Sequence, residues 1–94
     1  MYKRQRRFDL FDRARALENQ LLWVSANQSG TFGSMRFVAS AKVVDAGGEV
    51  LATTGTSEGV AYASVDLGGM LGAARGPMFH LRDRRAETYA LAVR

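Results

Sequence analysis

The residues that could carry acid–base or nucleophilic chemistry are scattered through this 94-residue sequence. His80 is the only histidine, and there is no cysteine. A serine–histidine–aspartate triad would need His80, but this residue lies in a charged stretch, where a lone histidine is usually a surface residue. The carboxylates fall on separate predicted elements, without the spacing of an acid–base pair: Glu18, Glu49, Glu58 and Glu87. The sequence therefore predicts no catalytic residue within this chain.

Metal and cofactor binding have no supporting motif. Clusters of histidine and cysteine at zinc-ligand spacing are missing, so no metal site is expected. Gly30 and Gly33 could suggest a phosphate-binding loop, but no GxGxxG pattern is present and no Gly-Lys-Ser/Thr follows them. These glycines favour turns, and we expect no cofactor.

Two side-chain amides are the best candidates for contact with a small ligand. Asn27 and Gln28 follow the apolar run Leu21–Ala26, which is typical of a strand covered on both faces. Ligands often bind beyond the carboxyl ends of strands in layered α/β folds, so we predict that both residues form part of a pocket wall. The alternative is that Asn27 fixes a turn through its side-chain amide.

A helix is predicted over residues 8–20, directly before that strand. Asp9 and Arg13 are four residues apart and are expected to pair across one turn. The apolar residues that recur at helical spacing, and so predict a core-facing side, are Leu10, Ala14, Leu17 and Leu21.

The remainder of the chain predicts mainly antiparallel strands. We expect strands over residues 37–45, 49–54 and 60–66, a hairpin turn at Asp45–Gly48, and a loop over residues 31–36. A short helix is predicted over Leu67–Arg75, and Gly76-Pro77 stops it. The predicted fold class is α+β (α/β): a helix, then mainly antiparallel strands and a C-terminal tail.

The basic charge is concentrated in a head formed by residues 1–7. The net charge is +4, and four of the 13 basic residues lie in this head, so the other nine balance the nine acidic residues. A basic arm can bind nucleic acid, but no aromatic platform or recognition helix accompanies this one. We expect no nucleic-acid partner and a disordered, solvated head. Met1–Gln5 also resembles the translation of a transposon-type sequencing adapter, so the head is expected to be non-native.

Neither a membrane span nor a secretory signal is predicted. No apolar run approaches the ~18 residues of a transmembrane helix, and the basic head has no apolar segment behind it. We expect no membrane partner, and the cytoplasm is the default compartment.

The body of the chain resembles the carbon–nitrogen hydrolase (nitrilase) superfamily. The resemblance begins with Arg13–Gln20 (RARALENQ), continues through the apolar strand to Asn27-Gln28-x-Gly30, and includes the hairpin Val43–Leu51. Ala46 stands where the family's hairpin has proline. Weaker matches follow in order at Glu58, Asp66, Arg75, Pro77, Arg84-Arg85 and Tyr89.

The resemblance implies that residues 8–94 are the C-terminal portion of a four-layer αββα sandwich. In this family the glutamate base, the lysine and the nucleophilic cysteine all precede the helix that carries the motif. They are therefore expected outside this sequence; Glu18 would be structural, and Lys42 is not the family's lysine. The implied parent is a homo-oligomer that hydrolyses a small amide or nitrile through a cysteine thioester, without a cofactor.

Two functions follow from these observations. The first is a C-terminal fragment of such a hydrolase, inactive alone, with exposed apolar surface and open sheet edges. The alternative is a small stand-alone α+β binding module with a basic N-terminal arm.

Overall fold

A helix, a small antiparallel sheet and a second helix make up most of the computed structural model, which describes residues 2–88. Tyr89 of the motif series lies outside this range. The elements in chain order are α1 (Tyr2–Asn19), β1 (Trp23–Ser25), β2 (Thr31–Phe32), β3 (Met35–Arg36), β4 (Lys42–Val44), β5 (Val50–Thr53), α2 (Leu67–Arg75) and a 3-10 turn (Ala86–Thr88). The predicted α+β class is confirmed.

The main sheet has three strands in the order β1-β4-β5, and both pairs are antiparallel. Trp23 lies opposite Val44, and Val24 lies opposite Val43. The predicted turn between β4 and β5 is confirmed. Gly48 adopts a φ of +82°, and the Asp45 carboxylate accepts hydrogen bonds from two backbone amides of the turn at 2.9 Å. Because successive side chains of a strand point to opposite faces, this sheet has one face toward α1 and one face away from it.

The helix α1 meets the sheet through a different side from the one predicted. Ala16 is fully buried and Asp12 is 4% exposed, at a spacing of four residues. Leu10 and Leu17 were expected in the core, but they are 62% and 54% exposed. Small and polar side chains therefore make the helix–sheet contact, and the apolar stripe faces outward.

The first residues of the chain continue α1, whereas the sequence analysis predicted a disordered head. The helix begins at Tyr2, and the side chains of residues 3–7 are exposed except for the half-buried Gln5. Lysine, arginine and glutamine are good helix formers, and no glycine or proline interrupts them. Extending an existing helix also avoids the cost of nucleation. The non-native origin of Met1–Gln5 stays a prediction.

Residues 31–41 differ from the expected loop and strand. Residues 31–36 form the β2–β3 hairpin around Gly33, which has a φ of +64°. The predicted strand over 37–45 shortens to β4 because Ala39 and Ser40 adopt positive φ values of 57° and 61°, incompatible with extended backbone. Ser40 is buried, and its amide donates to the Gly55 carbonyl at 2.7 Å.

The predicted third strand over 60–66 is absent, whereas the predicted helix after it is confirmed. Residues 60–66 have no sheet partner among residues 2–88, and Tyr62 is largely exposed. A strand needs a neighbour to satisfy its backbone groups, and none reaches this segment. The helix α2 has the expected bounds, with Asp66 as its N-cap, but it contains no buried residue.

Candidate functional site

The strongest concentration of charge lies between α1 and the sheet, around the carboxylate of Asp12. Its Oδ1 accepts a hydrogen bond from Trp23 Nε1 at 2.9 Å, and its Oδ2 accepts from Ser25 Oγ at 2.8 Å and from Lys42 Nζ at 2.6 Å. Asp9 Oδ1 lies 3.0 Å from the same ammonium group. We call these five residues the Asp12 cluster. It joins α1 to both β1 and β4.

The local sequence explains how the Asp12 cluster assembles. Trp23 and Ser25 are two residues apart on β1, so their side chains share the face toward α1. Lys42 is opposite Ser25 in the sheet, and it reaches the same face. Its ammonium also lies 4.0 Å from the centre of the Phe8 ring, which adds a cation–π contact. Two neighbouring strands and one helix face therefore converge on a single carboxylate.

The chemistry available to the Asp12 cluster is structural. The Lys42 side chain is only 1% exposed, and two carboxylates neutralise its charge. Asp12 already accepts three hydrogen bonds and is itself buried. A general base or an electrophilic lysine has to reach a substrate, and these groups are covered by α1. The cluster therefore holds the helix on the sheet.

The predicted pocket residues lie away from this cluster. Asn27 and Gln28 follow β1 and have exposed side chains. The Gln28 carbonyl accepts a hydrogen bond from the Ala39 amide at 3.1 Å, which fixes the backbone there. Neither side-chain amide makes a hydrogen bond within residues 2–88, so the alternative of an Asn27 side-chain turn is not supported. Their role as a pocket wall stays a prediction.

An open groove lies next to this end of β1, on the sheet face away from α1. Its walls come from β1, from β4 and from the extended segment after β5, and they include Val24, Ala26, Val43, Val60 and Ala61. Asn27 and Gln28 do not line the groove. Its walls are mostly apolar. Lys42 also lines the groove, but its ammonium group is bound by Asp9 and Asp12.

The remaining candidates for chemistry stay apart. His80 is exposed, and its backbone amide, rather than its ring, makes the hydrogen bond found there. Glu18 forms an exposed pair with Arg15, and Glu87 forms one with Arg85. The Arg85 hydrogen bond lowers the pKa of the Glu87 carboxyl. Within residues 2–88, no three histidine, cysteine or acidic side chains meet in an arrangement for a metal ion. Nor is any helix there both long and apolar enough to cross a membrane.

Comparison with known proteins decides the family. The profile of the carbon-nitrogen hydrolase family matches residues 1–75, which is most of the chain. The chain belongs to the carbon–nitrogen hydrolase family. A search of curated proteins finds no match.

The solved structures include a similar carbon-nitrogen hydrolase from Helicobacter pylori G27. Its crystal structure superposes on this chain with a TM-score of 0.80 and 30% sequence identity. The superposition covers 94% of this chain and 32% of that one. The chain therefore spans about a third of the length of this hydrolase and has the fold of that third.

The hydrolase motif on α1 divides between surface and interior. Glu18 lies on the surface, and Asn19 donates its side-chain amide to the Arg15 carbonyl at 2.9 Å. Gln20, the last residue of RARALENQ, is buried and connects α1 to the C-terminal part of the chain. Ala46, which stands where the family's hairpin has proline, is also buried, and the Gly48 amide closes the turn on the Asp45 carbonyl at 3.0 Å.

The sequence interpretation missed the partners of three charged residues. Asp9 lies beside Lys42 instead of pairing with Arg13, and Arg13 Nε donates to the Gly48 carbonyl at 2.7 Å. A usable signal existed: a lysine in the middle of an apolar strand needs a carboxylate, and Asp12 lies on the helix before it. The spacing of residues within α1 alone gave no reason to pair Asp12 with Lys42.

Proposed function

We propose that residues 8–94 form the C-terminal portion of a carbon–nitrogen hydrolase and are inactive alone. The observation that carries this proposal is the match to 32% of the length of a related hydrolase together with 94% of this chain. The groups proposed to perform the chemistry, a glutamate base, a lysine and a cysteine nucleophile, belong to the preceding part of the parent enzyme. In this scheme, the thiolate attacks the carbon of a small amide, ammonia or an amine leaves, and water hydrolyses the resulting thioester. A nitrile first gives a thioimidate, which takes up one water and releases ammonia to reach the same thioester.

The contribution proposed for residues 8–94 is a sheet, one pocket wall and contacts to the rest of the enzyme. The Asp12 cluster keeps β1 fixed, and β1 carries Asn27 and Gln28 to its carboxyl end. We propose that these two side chains border the substrate, where their amides can both donate and accept hydrogen bonds. The proposed parent is a cytoplasmic homo-oligomer that needs no metal or organic cofactor.

The uncovered sheet face supports the proposal. Val24 is 67% exposed on the face away from α1, in a strand whose sequence is typical of burial on both sides. Within residues 2–88, the extended segment 60–66 also has no strand partner. Both features match a sheet that packs against a further layer of the parent enzyme.

The upstream reading frame provides the direct test. We expect codons for a glutamate, a lysine and a cysteine ahead of residue 8, and we expect the joined protein to release ammonia from a panel of amides and nitriles. The 94-residue chain should release none, and the joined protein should lose activity when its cysteine becomes alanine. Amide hydrolysis by the 94-residue chain itself would refute the proposal. A promoter and ribosome-binding site directly before Met1 would refute the non-native origin of Met1–Gln5.

The uncovered face gives a second, independent test. Val24→Lys in the 94-residue chain should reduce self-association in size-exclusion chromatography, because it places a charge on exposed apolar surface. Thr31→Lys adds the same charge at an exposed position of β2 and should leave self-association unchanged. An equal effect of both variants would show that net charge matters and the uncovered face does not.

The alternative binding module makes a different prediction. Binding to nucleic acid that falls steeply with salt and disappears when residues 1–7 are deleted would support it. We expect no such binding, since four basic residues without a recognition element give only weak, non-specific affinity.

A further inference from the structure

Gln20 has an unusual position at the end of α1. It is 6% exposed, and its φ is +53°, in the left-handed region that non-glycine residues rarely adopt. Its amide closes the helix on the Leu17 carbonyl at 3.3 Å. Glycine is the common residue at such a helix end. A buried glutamine with this backbone conformation therefore needs a compensating interaction from its side chain.

The side chain of Gln20 supplies that interaction by binding main-chain groups of the C-terminal part. Its Nε2 donates to the Ala74 carbonyl at 3.0 Å and to the Met78 carbonyl at 2.5 Å. Its Oε1 accepts from the His80 amide at 2.8 Å. The carboxamide thus uses both of its donors and its acceptor on backbone groups more than fifty residues away. Ala74 lies in the last turn of α2, whose carbonyls have no partner within the helix.

The backbone of Gln20 makes a fourth contact with the same region. Arg75 Nε donates to the Gln20 carbonyl at 2.8 Å, and the Arg75 guanidinium lies 5.0 Å from the centre of the Phe79 ring. By contrast, no residue of α2 is buried, so apolar packing holds this helix only weakly. Among residues 2–88, the contacts of Gln20 are therefore the main attachment of the segment 67–80.

We infer that Gln20 is the docking residue of the C-terminal segment, defined as residues 67–80. Its carboxamide recognises main-chain groups of that segment at the junction of α1 and β1, and it fixes where α2 lies on the fold. An acidic or aliphatic side chain cannot replace it, because docking requires two donors and one acceptor on one planar group. Gln20 precedes β1, whereas Asn27 follows it, so the two residues lie at opposite ends of that strand. The docking contact is therefore separate from the predicted pocket wall.

Hydrogen exchange of the 94-residue chain tests this assignment. Gln20→Gly is the informative variant, because glycine accepts the positive φ and keeps α1 intact while the carboxamide is lost. We expect the protected amides of residues 67–80 to exchange about tenfold faster or more, since three hydrogen bonds disappear. The amides of α1, β4 and β5 should change less than about twofold.

A matched control and a reciprocal variant complete the test. Gln28→Gly removes an exposed glutamine without a side-chain hydrogen bond, and it should leave the exchange of residues 67–80 unchanged. Arg75→Ala removes one docking contact from the opposite side, and it should speed exchange in the same segment by a smaller factor. The assignment is wrong if Gln20→Gly and Gln28→Gly give equal exchange in residues 67–80. It is also wrong if Gln20→Gly accelerates exchange uniformly over the chain. Both outcomes can be distinguished from a failure of the hydrolase proposal, because no activity is measured.

Discussion

The two faces of the three-stranded sheet differ in how completely this chain covers them and pairs their polar groups. Toward α1, the buried charge of Lys42 has two carboxylates, and the Asp12 carboxylate accepts three hydrogen bonds. Away from α1, Val24 is mostly exposed and lies beside a shallow apolar groove. The first face is a finished helix–sheet interface built around charge. The second face is apolar and open.

This difference shows that the buried side chains of a partial domain need not be its most hydrophobic ones. The polar face is buried because its groups find partners inside the chain, which offsets the cost of removing them from water. The apolar face remains exposed because no further layer covers it within residues 2–88. The finished face is completed within this chain, and we propose that additional chain of the parent enzyme covers the open face.

The largest effect is expected from Asp12→Ala on the finished face. It leaves Lys42 buried with only the half-exposed Asp9 as partner, and it removes the acceptor of Trp23 and Ser25. Breaking a buried ion pair costs about 3–5 kcal/mol, which is comparable with the whole stability of a small domain. Urea titration followed by fluorescence measures it well, since Trp23 is the only tryptophan.

The control for this variant is Glu18→Ala. Glu18 pairs with Arg15 on the surface, where both side chains are about half exposed. The expected loss is therefore below about 1 kcal/mol. Comparable losses for the two variants would mean that the Asp12 cluster does not dominate the finished face.

Matched valine substitutions compare the two faces directly. Val44→Ala removes two methyl groups from a fully buried position on the finished face, and we expect a loss of about 2 kcal/mol in the free energy of unfolding. Val24→Ala, at the open face, should cost less than about 0.5 kcal/mol. Chemical denaturation of both variants provides the measurement. Equal losses would show that the open face is already covered, for example by self-association.

Two glycines with similar backbone conformations isolate the contact between α1 and the β4–β5 turn. A Cβ added at Gly48 would lie 3.4 Å from Leu17 Cβ, whereas one added at Gly30 meets nothing within 4 Å. Both residues have positive φ, so both substitutions by alanine incur a backbone cost of about 1 kcal/mol. Because 3.4 Å is an ordinary van der Waals distance, Gly48→Ala and Gly30→Ala should destabilise the chain by similar amounts in thermal unfolding. A much larger loss for Gly48→Ala would place α1 closer to the turn than this distance indicates.

The smallest effect concerns Glu87, which is exposed and belongs to neither face. The hydrogen bond from Arg85 holds the pKa of this carboxyl below its ordinary value. The associated stabilisation is present above the ordinary pKa of a glutamate, and it is lost as the pH falls through the lowered value. Arg85→Gln should raise the pKa of Glu87 toward the ordinary value in an NMR titration. An unchanged pKa would mean that the pair does not persist in solution.

Local signals were sufficient for the elements that depend on nearby residues. The hairpin turn at Asp45–Gly48 and the helix Leu67–Arg75 form as predicted, because turn glycines, an N-cap aspartate and a terminating Gly-Pro act within a few residues. The family was also predicted correctly from the ordered motifs. The predicted role of Asn27 and Gln28 in a pocket wall is tested by measuring the activity of the parent enzyme.

Tertiary contacts decided what local signals could not. The 3.6-residue period identified α1 but not the side that meets the sheet, since Asp12 and Ala16 alternate with Leu10 and Leu17 around one helix. The strand prediction for 60–66 failed because its pattern specifies a strand without supplying a partner. The docking role of Gln20 depends on main-chain groups more than fifty residues away, which no local pattern encodes.

The contacts of the Asp12 carboxylate also predict the order in which parts of the chain fold. It contacts residues 11, 13 and 30 positions further along the chain. The two shorter loops close at lower entropic cost than the longest, so the β1 contacts can form before β4 arrives. Lys42 then loses its hydration shell only when β4 pairs with β1. We therefore expect the dehydrated ion pair to form late in folding, and to slow unfolding more than it speeds folding.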